Sequence, residues 1–90
     1  MFISVVYDVV STDSKKKISD VLKQFGLKKI MDTLYESYDF PVGKLGNLKK
    51  DISNELDMDD KLRIYQYPLE SKFKVSYIEE KKWKRLSVEI

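Results

Sequence analysis

A β-branched run near the start of the chain, two apolar stripes at helical spacing and three later alternating segments predict an α+β domain of 90 residues. Each element follows from a local pattern. Residues 2–10, FISVVYDVV, are rich in β-branched and aromatic side chains and far shorter than a membrane span, so they predict a buried first strand. Period-two alternation sorts Ile3, Val5, Tyr7 and Val9 onto one apolar row and Phe2, Ser4, Val6 and Asp8 onto the other.

Ser11-Thr12-Asp13-Ser14 is a cluster of N-cap residues, and Ile18, Val21, Leu22 and Phe25 then recur at the spacing of one helix face. Gly26 stands where a left-handed residue would end that helix. Residues 27–38, with Ile30, Leu34 and Tyr35 among polar neighbours, read as extended, either one bent strand or two short ones. Asp39-Phe40-Pro41 interrupts the chain. Leu45, Leu48, Ile52 and Leu56 mark a second amphipathic helix, weakened by Gly43 and Gly46. After the acidic turn Asp57-Met58-Asp59-Asp60, residues 61–67 alternate Leu62, Ile64 and Gln66 against Arg63, Tyr65 and Tyr67, and Pro68 stops the strand. Phe73, Val75 and Tyr77 alternate once more, as do Leu86, Val88 and Ile90 at the end. The order fits a ferredoxin-like βαββαβ core over residues 1–69, with residues 70–90 as a C-terminal extension that adds a strand for dimer or partner contacts. Both helices would cover one sheet face, leaving Phe2 and Val6 on the other, so a homodimer is expected.

Composition removes whole classes of chemistry. With 17 basic and 15 acidic residues, a net charge of +2 and 42% hydrophobic residues, the balance is that of one folded domain. There is no Cys and no His, so disulfides, thiolate nucleophiles, Ser–His–Asp and Cys–His catalysis are excluded. Three glycines form neither a phosphate-binding loop nor a dinucleotide fingerprint. Met1 leads straight into strand-like sequence without the three regions of a signal peptide, so a cytoplasmic protein with no membrane partner is expected.

Asp8 ends an apolar strand beside a polar turn. A carboxylate held there is a hard oxygen donor suited to Mg²⁺, which takes one or two carboxylates and fills its shell with water and phosphate. On spacing alone, capping the turn or helix that follows is the reading such an Asp more often takes. Residues 13–30 carry six lysines (15, 16, 17, 23, 28 and 29) against Asp13 and Asp20. Residues 72–85 carry Lys72, Lys74, Lys81, Lys82, Lys84 and Arg85 against Glu79 and Glu80, with Phe73, Tyr77 and Trp83 interleaved. Such clusters are phosphate-backbone contacts or solvated faces. Tyr35, Tyr65 and Tyr67 could stack on bases, although no RRM-type aromatic signature is present. Asp57, Asp59 and Asp60 lack the Gly and Glu of a calcium loop and read as a turn.

The strand VVYDV ending near Asp8, the basic helix SKKKISDVLKQFGL, the segment KKIMDTLYES and the strand KLRIYQYPL together resemble the CRISPR-associated protein two family, over residues 1–69. The resemblance implies a ferredoxin-like homodimer in which Asp8 of each chain approaches the two-fold axis and binds Mg²⁺ for phosphodiester cleavage, as in a metal-dependent endoribonuclease or DNase. It also implies a dimeric scaffold that joins the CRISPR integrase, the Cas-one protein, on DNA during spacer acquisition in antiviral defence. By the same resemblance Lys15, Lys17, Lys29 and Tyr35 are nucleic-acid contacts. The C-terminal lysines Lys81, Lys82 and Lys84 are expected contacts from their charge. The middle segment departs from the family pattern, with Lys29 for an arginine and Met31 for a glutamine, which removes bidentate and amide contacts to phosphate. A toxin-type ribonuclease of the same fold and a non-catalytic ferredoxin-like regulatory domain are the alternatives.

Overall fold

The computed structural model describes residues 1–67 and 72–89. The opening run forms β1 (Phe2–Asp8), and Ser11 caps the following α1 (Thr12–Gln24) by accepting the Ser14 N–H on its hydroxyl at 3.0 Å. The helix ends as Gly26 implied. Gly26 has φ +87°, its N–H reaches the Lys23 carbonyl at 3.0 Å, and the Leu27 N–H reaches the Leu22 carbonyl at 3.0 Å, which together form a Schellman closure. Residues 28–37 then make a hairpin of two short strands, β2 (Lys28–Met31) and β3 (Leu34–Ser37), with a bulge between Lys29 and Met31. All four β2 residues are exposed, so this edge strand had no apolar alternation to show.

A 3-10 turn at Val42–Lys44 leads into α2 (Leu45–Glu55), and β4 (Lys61–Tyr67) follows with the predicted bounds. The extension contributes two strands where one was expected, β5 (Lys72–Glu79) and β6 (Lys82–Glu89). Glu80 and Lys81 join them with φ of 51° and 59°, the paired left-handed conformations of a tight two-residue turn. Pro68, Ile90 and the 69/70 boundary lie outside the described residues.

All six strands form one antiparallel sheet in the order β2-β3-β1-β4-β5-β6. Ile3, Val5 and Tyr7 pair with Gln66, Ile64 and Leu62, so one face carries the core under Ile18, Leu22, Leu48 and Ile52 of the helices. Ile78 of β5 is fully buried and Trp83 of β6 packs against the same cluster, so the C-terminal hairpin belongs to the core. The other face is open and aromatic. Phe2 meets Tyr38 and Tyr67 at ring distances of 4.9 and 4.8 Å, and Tyr67 meets Phe73 at 4.9 Å. Tyr38, Tyr67, Leu86 and Val88 are exposed around it.

Candidate metal and nucleic-acid sites

Asp8 is the last residue of β1, exposed, and on the open face. Antiparallel register sets Lys61 directly across from it and Arg63 across from Val6, and these side chains border a depression of about 200 Å³. Asp8 makes no ion pair among the described residues. No three potential ligands cluster in one chain among the described residues, so a metal here would have at most two acidic side chains from one protomer. That donor set fits Mg²⁺ only with water, phosphate or a second copy completing the shell.

Asp60 positions the tip that carries Asp8. Only 2% exposed, its carboxylate accepts the Val10 N–H at 3.0 Å and the Asp57 N–H at 2.8 Å, tying the β1–α1 turn to the α2–β4 turn. The sequence alone predicts a plain turn for the acidic run. The signal available was an Asx-type acceptor placed three residues after Asp57 and immediately before a strand.

Three of the expected nucleic-acid contacts gather elsewhere. Lys15, Lys29 and Tyr35 line a groove of about 310 Å³ between α1 and the β2–β3 hairpin, on the helix-side face of the sheet and therefore opposite Asp8. Tyr35 needs correction as a stacking residue. Its ring is 1% exposed, lies 6.2 Å from the Tyr7 ring and shares a hydrogen bond between its hydroxyl and that of Ser19, so it offers no free face to a base. Val5 opposite it in register fixes it over the core. Lys29 is an ion-pair partner of Asp32 at 3.4 Å. Lys17 lies outside the groove, paired to Asp13 at 3.2 Å, and that contact keeps its ammonium charged above the ordinary lysine range.

Tyr7, adjacent to Asp8 in sequence, points to the opposite face. Burial, then Tyr35, then the Asp32 charge push its phenol well above the ordinary range, so it stays protonated and is no base for chemistry at Asp8.

Lys81 sits in the β5–β6 turn, and Lys82 and Lys84 project from β6 on the open face, opposite Glu79 and Tyr77. Following the register across β1, β4, β5 and β6 brings them to the same end of the sheet as Asp8, three strand spacings or roughly 14 Å away. Arg63 lies between, with its guanidinium 5.3 Å from the Tyr77 ring. The expected site residues thus divide between two faces, with Asp8, Lys82 and Lys84 on one and Lys15, Lys29 and Tyr35 on the other.

A four-strand βαββαβ core widened by a C-terminal hairpin, with a lone carboxylate at the tip of its first strand, defines a ferredoxin-like α+β protein. The family model described as CRISPR associated protein Cas2 matches residues 1–75, and the chain belongs to that family. No relative matches it among curated proteins. The family gives the chain a CRISPR-associated role in antiviral defence. No helix among the described residues is long and apolar enough to cross a membrane.

Proposed function

We propose that the chain works as a homodimer that binds nucleic acid beside the CRISPR integrase during spacer acquisition, with Asp8 as the centre of a Mg²⁺-dependent phosphodiesterase activity. The observation that carries this reading is the placement of Asp8 at the rim of an open aromatic sheet face in a member of this family. A second copy covering Phe2, Tyr67 and Phe73 would remove large apolar side chains from water, which is the ordinary driving force for association. A two-fold axis passing near the Asp8 end of that face would bring a second Asp8 to the same rim. Bound there, Mg²⁺ would neutralise charge on a phosphodiester.

The chain's own groups have separate tasks. Asp8 supplies the carboxylate, and Asp60 keeps the backbone two residues beyond it fixed through the Val10 N–H. Lys61, Lys82 and Lys84 lend positive charge to that end of the open face and attract the phosphate backbone. Lys15 and Lys29 serve the scaffold role on the far face, where they can hold duplex without any part in cleavage.

Substituting Asp8→Asn keeps the shape and removes the charge. Mg²⁺-dependent cleavage of RNA and DNA oligonucleotides should fall by at least about a hundredfold, while sedimentation still reports the dimer and DNA affinity stays within about threefold. Cleavage at the wild-type rate by the variant would reject Asp8 as the metal ligand. A monomer at micromolar concentration would reject the paired arrangement.

A further inference from the structure

A second groove, of about 380 Å³, lies on the helix-side face between α2 and the β5–β6 hairpin. Three cations enter it from three elements: Lys49 from α2, Lys74 from β5 and Arg85 from β6. The register explains their meeting. Lys74 pairs with Gln66 and Ser87, and Ser76 pairs with Arg85, so these polar side chains form two adjacent rows on one face. Lys49 descends from the helix above them, its Nζ 5.4 Å from the Trp83 ring centre. Among residues 1–67 and 73–88 no carboxylate lines the groove and none pairs with any of the three cations. Convergence of like charges costs free energy, which a bound anion would offset. Lys49 registers that cost, since burial and then the Arg85 charge hold its amine below the ordinary lysine range.

Ligand chemistry follows from the donors. Arg85 presents a planar fork that matches two phosphate oxygens, Lys49 and Lys74 are point charges suited to neighbouring phosphates, and Ser76, Ser87 and Gln66 offer neutral donors between them. We propose that this groove is a subsite for two or more adjacent phosphoryl groups of one ligand, separate from Asp8, which lies across the sheet on the opposite face. Adjacent phosphates occur both in a free oligophosphate and along a nucleic-acid strand, and the groove addresses the chemistry they share. It requires neither cleavage nor an integrase.

The test titrates the full-length protein with inorganic tripolyphosphate, followed by calorimetry and amide chemical shifts. Saturable binding at one site per chain is expected, with the largest shifts at Lys49, Lys74, Ser76, Arg85 and Ser87. The variant K74Q/R85Q should lose at least about tenfold in affinity, while K44Q/K50Q, which removes equal charge from other exposed positions, stays within about twofold. Absence of saturable binding to the wild-type protein, shifts that map elsewhere, or equal losses in both double variants would overturn the subsite. Binding of duplex DNA to the same variants separates the two sources. A tenfold loss confined to the groove variant, with a shallower salt dependence, identifies the strand backbone, whereas unchanged DNA affinity beside lost tripolyphosphate binding identifies a free oligophosphate. Failure of the wild-type protein to bind DNA at all would reject the nucleic-acid role and leave the tripolyphosphate result standing.

Discussion

Asp60→Asn tests whether the turn that follows Asp8 is held by a buried carboxylate. The native side chain is 2% exposed and accepts two backbone N–H groups at 3.0 and 2.8 Å, from Val10 and Asp57. An amide of the same shape keeps one acceptor oxygen and turns an NH₂ toward the other donor, leaving a buried N–H unpaired and a charge-assisted bond weakened. Such losses cost about 2 kcal/mol together, a large share of the 5–15 kcal/mol that stabilises a typical domain. For a chain of this length the melting temperature should fall by about 10 °C. Circular dichroism at one fixed protein concentration, needed because association also raises the midpoint, reads that shift. Hydrogen exchange at the Val10 amide should accelerate in parallel. A midpoint within about 3 °C of wild type, with Val10 protection unchanged, would refute the argument that Asp60 ties the two turns together.

Two further outcomes discriminate between positions assigned by sequence and positions found in the fold. Tyr35→Phe removes only the hydroxyl bonded to Ser19 and should destabilise by about 1 kcal/mol in urea unfolding, whereas Tyr35→Ala opens a cavity beneath Tyr7 and α1 and should cost about 3–5 kcal/mol; equal, negligible losses would contradict core packing of the ring. Charge reversal at Lys81, Lys82 and Lys84 should weaken DNA binding and lower the log–log salt slope by up to about three, and an unchanged slope would place the phosphate backbone elsewhere.

Most of the architecture was legible because the core-facing side chains keep strict periods. Ile18, Val21, Leu22 and Phe25 announce α1, and Leu62 and Ile64 announce β4, because burial on one side imposes the spacing. Where burial is absent the pattern fades. β2 has four exposed residues and gave no alternation, so the hairpin with β3 stayed unresolved between one strand and two. β6 begins at Lys82, earlier than its apolar residues suggested, because Lys82 and Lys84 face outward while Trp83 alone reaches the core.

Site residues were less legible for a different reason. Residue type and order identify Asp8 at a strand tip, yet strand parity decides which side of the sheet each charge meets. Lys29 pairs with Tyr35 above the core and so stands opposite Asp8, a relation set by a bulge that no spacing rule reveals. Asp60 resembles the other acids of Asp57-Met58-Asp59-Asp60 in type, and although its place before the strand suits an acceptor for the nearby Asp57 amide, nothing local reveals that it also collects the distant Val10 amide. The cationic groove of Lys49, Lys74 and Arg85 depends on three elements meeting, and only the assembled hairpin brings them together.

Among the described residues the sheet order ends at β6, whose outer backbone groups have no strand beyond them. A free margin of this kind invites templated growth, and two identical margins brought side by side in parallel register would set Lys82, Lys84 and Arg85 against their own images. Like charge along the strand opposes such pairing, the same device by which edge lysines discourage fibre-like growth in other sheets.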